Sequence, residues 1–166
     1  MMPTLEVTTP SDRELRWSRA FDAPCARLFE ALTTPALVRR WLLGPPGWAM
    51  EFCAIDLRPG GAYRYVWRRE RDGKEMAMGG VFEQVAAPER FVATETFEEA
   101  WYRGHALVTM QLDDHARRTT LTQTMAYDSA DTRDGVLRSG WEDGVRASYD
   151  RLDAILAEAS HGTDAR

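Results

Sequence analysis

Hydrophobic and polar residues alternate along much of the first three quarters of the chain, the period expected of strands with one buried face. From Glu14 to Phe21, the alternation places Trp17 and Arg19 on one face. Further strand-like runs, separated by tight turns, span 48–56, 63–67, 76–85, 90–97, 106–112 and 119–126. Regular short strands joined by such turns indicate an antiparallel meander rather than βαβ units.

Two segments instead repeat hydrophobic residues at helical spacing. The first follows the first strand and is divided at Pro35 into two short helices. The other starts at about residue 132 or 134 and continues to residue 159 as one long helix with a single hydrophobic stripe. We therefore predict an α+β fold in which a curled antiparallel sheet of about six or seven strands surrounds this helix. Because one helix closes such a sheet incompletely, we also expect a cavity between them.

The chain has 166 residues, the usual size of one domain. We expect a flexible N-terminal segment over 1–12, a single domain over 13–159 and a flexible tail over 160–166. The formal net charge of −5 argues against nucleic acid or an anionic membrane as a partner. No hydrophobic run approaches the ~20 residues of a membrane span, and the first residues do not resemble a signal peptide. The expected location is therefore the cytoplasm.

Cysteine and histidine are too sparse and too scattered to suggest a metal site. Cys25 and Cys53 lack the spacing of a CxxC motif and are expected to be reduced thiols. The three histidines have no ligand spacing, whereas a structural metal site needs about four clustered ligands. Nucleophile-elbow, Walker and dinucleotide-binding motifs are also absent from the sequence. We therefore expect neither a metal nor a cofactor.

Short motifs follow one another in a fixed order between about Glu14 and Ala157. They are Arg19-Ala20-Phe21-Asp22-Ala23-Pro24, Leu28-Phe29-Glu30-Ala31-Leu32 with Pro35 and Trp41, Asp56-Leu57-Arg58-Pro59-Gly60-Gly61, Asp72-Gly73, Gly80-Val81-Phe82-Glu83-Gln84-Val85 with Pro88-Glu89-Arg90, Thr119-Thr120-Leu121-Thr122, Gly140-Trp141-Glu142-Asp143-Gly144 and Asp150-Arg151-Leu152. In order and spacing, this series resembles the activator-of-Hsp90-ATPase-homologue-like family of the Bet v 1/START-like (SRPBCC) superfamily.

The resemblance implies the helix-grip fold of that superfamily and, as is usual there, a cavity for a hydrophobic ligand. Eukaryotic members that stimulate the chaperone carry an additional N-terminal domain important for that activity, and we do not expect one within these 166 residues. A chaperone partner is therefore an alternative and not the leading hypothesis.

Aromatic residues outnumber what a compact core of this size readily packs, and methionines on the predicted strands add adaptable surface. In this fold, the excess favours a partly open apolar pocket over a filled core. The candidate ligand-binding residues on the sheet are Tyr63, Tyr65, Trp67, Met78, Phe82, Phe97 and Met110. The candidates on helices are Trp41, Trp141, Val145 and Tyr149.

Two charged residues share the strand parity of hydrophobic neighbours and are expected to point inward. Arg19 alternates with Trp17, and Glu95 alternates with Phe97. A buried charge needs a counter-charge or a ligand. Either Arg19 and Glu95 form a structural ion pair, or they face a ligand and orient a carbonyl or phenol group.

The leading hypothesis is a small-molecule-binding protein for a hydrophobic or aromatic ligand, because no catalytic set can be assembled. A cyclase- or hydratase-like enzyme, with His105 as one candidate base, is the second hypothesis. An interaction module is the third, and a homodimer through an exposed strand edge is plausible with any of them. An inward-facing titratable pair with a raised pKa favours the enzyme, and an exposed apolar patch favours the interaction module.

Overall fold

The computed structural model describes residues 3–99 and 104–164, with side chains described up to Glu158. Within these residues, the chain forms eight strands and four helices. The strands are β1 (Glu6–Thr8), β2 (Glu14–Phe21), β3 (Trp48–Ile55), β4 (Ala62–Arg69), β5 (Glu75–Ala86), β6 (Arg90–Phe97), β7 (Ala106–His115) and β8 (Arg118–Ala126). The helices are α1 (Cys25–Thr33), α2 (Pro35–Trp41), α3 (Ala130–Leu137) and α4 (Trp141–Asp164).

These strands form one antiparallel sheet in the order β1-β2-β8-β7-β6-β5-β4-β3. Strands β3 to β8 follow one another as a meander, and β2 pairs with β8 from Glu14 opposite Ala126 to Phe21 opposite Thr119. The sheet is curled and does not close, so β1 and β3 are its two edges. This arrangement, with two short helices after β2 and a long helix at the C-terminal end, confirms the predicted α+β helix-grip fold.

The structure differs from the sequence-based expectation at both ends of the chain. Residues 6–8, expected to be part of a loose N-terminal segment, form β1 and pair with β2. The single C-terminal helix predicted from about residue 132 is divided into α3 and α4, because Gly140 adopts a φ of +78° that a helix cannot contain. Helix α3 has its own start, where the Ser129 hydroxyl accepts a hydrogen bond from the Thr132 amide. Helix α4 continues to Asp164, beyond the predicted end at residue 159.

The core consists of two hydrophobic clusters, one on each half of the concave side of the sheet. The first joins β2, β7 and β8 to α1 and α4, with Phe21, Leu28 and Leu152 among its fully buried residues. The second joins β3–β6 to α2 and includes Val38 and Met50. The long helix therefore packs mainly on the β2–β8–β7 half, and the other half is covered by the short helix α2. None of the helices described is both long and apolar enough to cross a membrane.

Candidate ligand-binding site

A continuous row of aromatic rings lines the concave face of β4, β5 and β6. The ring centroids are 5.9 Å apart between Trp67 and Tyr65, 5.3 Å between Tyr65 and Tyr63, 5.4 Å between Tyr63 and Phe82, and 5.5 Å between Phe82 and Phe91. These five residues are called the aromatic row below. The tilted and edge-to-face angles between the rings are those that aromatic pairs favour. The row extends over three neighbouring strands because alternating residues of each strand face the same side.

Hydrogen bonds fix two members of the aromatic row. The Trp67 indole Nε1–H donates to the carbonyl oxygen of Leu42 at 2.8 Å, which joins β4 to the end of α2. The Tyr63 hydroxyl donates to the carbonyl oxygen of Thr94 at 2.6 Å, across β5. The hydroxyl of Tyr65 makes no hydrogen bond with any residue in the described part of the chain. Tyr65 as a whole is half-buried.

Glu95 lies on the same concave face, among the smallest side chains of the sheet. It pairs with Ala106 of β7 on one side. On the other side, the β5–β6 register, with Gly79 opposite Thr96 and Phe82 opposite Ala93, places Gly80 opposite Glu95. Glycine and alanine therefore flank the carboxylate on both neighbouring strands, and Ala93 precedes it on its own face. The neighbouring strands therefore place no large side chain directly opposite the carboxyl group, although the Tyr63 ring crosses β5 here to reach the Thr94 carbonyl oxygen.

The carboxyl group of Glu95 makes no hydrogen bond and no ion pair within the described residues. Burial raises its pKa from the ordinary value of 4.5 to about 7. The pKa of the Tyr65 hydroxyl is also raised, first by burial and then by the negative charges of Cys53 and Glu95. Tyr65 is therefore a neutral hydroxyl near physiological pH, close enough to Glu95 to sense its charge. Glu95 with Tyr63, Tyr65, Met78 and Phe97 is called the Glu95 site below.

The backbones of β4, β5 and β6 approach closely beside this site. A Cβ at Gly80 would lie 1.9 Å from the carbonyl oxygen of Thr94, and one at Gly79 would lie 2.5 Å from that of Tyr63. The amide of Val81 donates to the Thr94 hydroxyl at 2.9 Å, in place of a regular ladder bond. Only glycine fits at positions 79 and 80, so the strand geometry itself excludes a side chain opposite Glu95. Two adjacent glycines inside a strand pattern are a sequence signal for such a close approach.

Arg19 points inward from β2, as its parity predicts, but it does not pair with Glu95. Its guanidinium donates to the Asp150 carboxylate at 2.9 Å and to the Asp153 carboxylate at 2.8 Å, both on α4. Its Nε is buried and has no hydrogen-bond partner. Of the two alternatives for Arg19 and Glu95, the ion pair between them does not form, because the position of α4 on the sheet brings Asp150 and Asp153 to Arg19. This position cannot be read from strand alternation.

The candidate residues on the helices, together with Met110, belong to the first hydrophobic cluster. The Trp17 indole N–H donates to the Tyr149 hydroxyl at 2.9 Å, and the rings of Trp17 and Trp141 lie 4.9 Å apart. Trp41 donates its indole N–H to the Ala31 carbonyl oxygen at 2.9 Å. The residues of this group that were predicted to bind ligand are Arg19, Trp41, Met110, Trp141, Val145 and Tyr149. The structure thus divides the predicted set between a group that fastens α4 to the sheet and the group around Glu95.

The group around Glu95 contains the other seven predicted residues. They are Tyr63, Tyr65, Trp67, Met78, Phe82, Glu95 and Phe97. Met78 pairs with Tyr65 on one side and with Phe97 on the other, which places these three residues in one line across the sheet. Half-buried Tyr65, Glu95 and Phe97 keep some exposure on the concave face, where the core residues of the first cluster keep almost none.

Other polar residues on or near the sheet do not join the site. Arg64 alternates with Tyr63 and Tyr65, so it lies on the opposite face, where it pairs with Glu98 at 2.9 Å. His105 is exposed at the residue before β7. Gln123 lies on the concave face between Trp17 and Met110, and its amide contacts the Met125 sulfur at 3.5 Å. Within the described residues, no group of three or more histidines, cysteines and carboxylates is arranged to hold a metal ion.

A separate surface cavity of about 540 Å³ lies between the start of α1 and the turn that precedes β6. It is lined by Cys25, Pro88, Glu89, Asp113 and Asp114, among others. Burial, and then the charges of Asp114, Glu89 and Asp113, raise the pKa of the Cys25 thiol. Since the thiolate is the reactive form, this cysteine is held in an unreactive state. None of the predicted binding residues lines this cavity.

Solved structures from several bacteria share this fold. A Rhodobacter sphaeroides protein is 30% identical, with a TM-score of 0.86 over 92% of this chain and 98% of its own. A Mycobacterium smegmatis protein is 24% identical, with a TM-score of 0.81 over 95% and 99% of the two chains. A Nitrosomonas europaea protein is 21% identical, with a TM-score of 0.79 over 91% and 98%. The last two likenesses establish the fold alone.

Family membership rests on the sequence over most of the chain. None of the curated proteins compared with the chain matches it significantly. The family model described as "Activator of Hsp90 ATPase homolog 1-like protein" matches residues 22–157, from the end of β2 into α4. The motifs noted in the sequence lie almost entirely within these bounds. The chain therefore belongs to the family of activator of Hsp90 ATPase homolog 1-like proteins.

Proposed function

We propose that the protein binds a small, largely apolar or aromatic molecule at the Glu95 site. The observation on which the proposal rests is a carboxyl group that faces the concave side beside a row of aromatic rings and has no partner among residues 3–99 and 104–158. Family membership and the helix-grip fold are consistent with a ligand-binding module. The ligand supplies the partner that the described residues do not give to Glu95.

An apolar residue at position 95 would avoid the desolvation of a carboxyl group. Partial burial makes a carboxyl group less favourable than an apolar side chain, as the raised pKa of Glu95 indicates. Leucine or methionine would avoid this disadvantage and would pack against Phe97 and Met78. A partly desolvated carboxyl group with no partner among the described residues suits a role in recognition. In pockets of this kind, hydrophobic and aromatic side chains supply the contact area, and a few polar groups fix the orientation.

The two groups of candidate residues have different roles in this proposal. Tyr63, Tyr65 and Phe97 form apolar walls, and Met78 adapts its shape to the ligand. The contacts of Arg19, Trp41 and Tyr149 fasten α4 to the sheet, so these residues set the size of the space without contacting the ligand. Trp141 and Val145, both half-buried at the start of α4, are proposed to border its entrance.

The alternatives have less support. Glu95 and Tyr65 are an inward-facing titratable pair, the feature expected of a cyclase- or hydratase-like enzyme, but His105, its candidate base, is exposed. For an interaction module, the large exposed hydrophobic residues in the described part of the chain are Phe52, Val81 and Leu137, each on a different element. A homodimer through the β1 or β3 edge remains a prediction that size-exclusion chromatography with light scattering would test.

Titration with the neutral aromatic dye N-phenyl-1-naphthylamine tests the proposed function. We expect saturable fluorescence enhancement with one dye per chain, weakened several-fold by Tyr65→Ala. Phe52→Ala is the matched control, because Phe52 is an exposed aromatic residue on neighbouring β3, and it should bind the dye as the wild type does. Native mass spectrometry of protein purified from its source should show a co-purified small molecule. Absence of both saturable dye binding and a co-purified molecule would count against the proposal.

A further inference from the structure

The charges around Glu95 restrict the chemistry of the ligand, an inference that rests on the proposed function. We propose that the Glu95 site selects a lipophilic organic amine, whose ammonium group pairs with the Glu95 carboxylate, over alcohols and acids of the same shape. Three features support this selection. The arginines on the neighbouring elements are paired with other residues, aromatic rings surround the carboxylate, and the residues beside it are small.

No positive charge within the described residues is available to Glu95. Arg19, the buried arginine of the concave face, is held between Asp150 and Asp153 of α4. Arg64, on the adjacent strand β4, faces the opposite side of the sheet and pairs with Glu98. A carboxylate without an internal counter-ion favours a ligand that brings its own positive charge, because charge-assisted hydrogen bonds are about twice as strong as neutral ones.

The aromatic residues near Glu95 favour the same kind of ligand. Tyr65 is close enough to sense the charge of Glu95, Phe97 is its neighbour on the same face of β6, and Tyr63 lies beyond Gly80. The face of each ring carries partial negative charge, which attracts a cation within about 6 Å of the ring centre. An ammonium group beside Glu95 would thus be stabilised by the carboxylate and the rings together. An anion would be repelled by both.

The space beside the carboxylate suits a compact head group. Gly80 and Ala106 flank Glu95 on the two neighbouring strands, and Ala93 is small as well. A primary ammonium group is little larger than a methyl group, so it would approach the carboxylate over these small residues. The apolar part of the ligand would then lie along Tyr65, Met78 and Phe97, which form one line across the sheet.

Three probes that share a naphthalene ring test the selection: 1-naphthylmethylamine, 1-naphthylmethanol and 1-naphthoic acid. Calorimetric titrations at about pH 8 keep the amine protonated and Glu95 ionised, since its pKa is about 7. We expect the amine to bind about tenfold more tightly than the alcohol, on the scale of one charge-assisted hydrogen bond. We expect the acid to bind more weakly than either.

Variants of Glu95 identify the source of the preference. E95Q should remove the preference, so that the amine and the alcohol bind equally, and E95D should keep part of it. E83Q is the matched control, because Glu83 is an exposed glutamate on β5 and its loss changes the net charge equally. It should bind all three probes as the wild type does.

Equal binding of amine and alcohol by the wild type would overturn the inference and leave the proposed function intact. Retention of the full amine preference in E95Q, or tightest binding of the acid, would also overturn the inference while the binding function stands. Failure of all three probes to bind would instead contradict the proposed function, and the inference with it.

Discussion

The β5–β6 register on either side places Gly80 of β5 opposite Glu95 of β6, so that β5 contributes no side chain directly opposite the carboxyl group. The same glycine allows β5 to approach β6 so closely that the Thr94 carbonyl oxygen occupies the place of a Cβ. Gly80 therefore accounts both for the missing side chain opposite the carboxylate and for the close approach of β5 to β6. This relationship leads to a prediction that concerns stability alone.

Substitution of Gly80 by alanine should lower the free energy of unfolding by several kcal/mol. The added Cβ would lie 1.9 Å from a backbone oxygen, which cannot move aside as a flexible side chain would. Urea denaturation measures the effect. Gly144→Ala is the matched control: a Cβ at this exposed position of α4 meets no atom within 4 Å, and the substitution should stabilise the helix by about 0.5–1 kcal/mol. An unchanged stability of Gly80→Ala would contradict the described geometry of β5.

Arg19 should be important for holding α4 on the sheet. Replacement by methionine keeps much of the hydrophobic volume but removes two hydrogen bonds to carboxylates, and we expect a loss of about 2–4 kcal/mol. Thermal and urea denaturation measure it. Arg40→Met is the control, because Arg40 and its partner Glu158 are both exposed, and it should cost less than about 1 kcal/mol. Equal losses of stability from the two substitutions would show that the ion pairs of Arg19 contribute no more than an exposed ion pair does.

The hydrogen bond from Trp17 to Tyr149 should contribute to stability as a pair. Tyr149→Phe and Trp17→Phe each break this bond, and the second also removes buried ring volume. A double-mutant cycle should give a coupling energy of about 1 kcal/mol, the usual net value of a buried hydrogen bond. Additive effects of the two substitutions would mean that β2 and α4 are joined by hydrophobic contact alone.

Glu95 should make stability depend on pH between about 4.5 and about 7. Its pKa is raised in the folded state, so the folded protein keeps a proton that the unfolded chain has released in this range. The stabilisation is fully present below 4.5 and is lost as the pH rises through about 7. Tyr65 and Cys53, the titratable groups nearby, have raised pKa values and stay neutral in this window.

Glu95→Gln should therefore gain stability relative to the wild type as the pH rises, by up to about 3 kcal/mol between about pH 4.5 and about pH 8. Urea denaturation of both proteins across this range measures the difference. Glu83→Gln, at an exposed position, should follow the wild type at every pH. A constant difference between Glu95→Gln and the wild type would mean that Glu95 titrates at its ordinary pKa.

Strand alternation predicted which residues share a face, because the two-residue period of a strand fixes that property locally. It placed Tyr63, Tyr65 and Trp67 together and turned Arg19 and Glu95 inward. It did not predict where α4 lies on the sheet, since that depends on contacts between residues more than a hundred positions apart. The partners of Arg19, Asp150 and Asp153, follow from this long-range register and were missed.

The same limit explains the division of the aromatic residues. From the sequence, Trp41, Met110 and Tyr149 were equivalent to Tyr65 and Phe97 as candidates for a pocket wall. Only the position of α4 shows that the first three are enclosed between helix and sheet, whereas the other two keep partial exposure. The break at Gly140 was missed because the hydrophobic stripe continues through it, from Leu137 to Trp141, at helical spacing.

The titration of the Glu95 side-chain carboxyl carbon by NMR, with Glu95→Gln to assign the signal, tests the central claim most directly. The account predicts a midpoint near pH 7 in the free protein, from a carboxyl group that is desolvated and unpaired. It also predicts that saturation with a bound probe shifts this midpoint, and that 1-naphthylmethylamine lowers it. A midpoint near 4.5 that no probe displaces would contradict the account, because Glu95 would then be an ordinary solvated carboxylate.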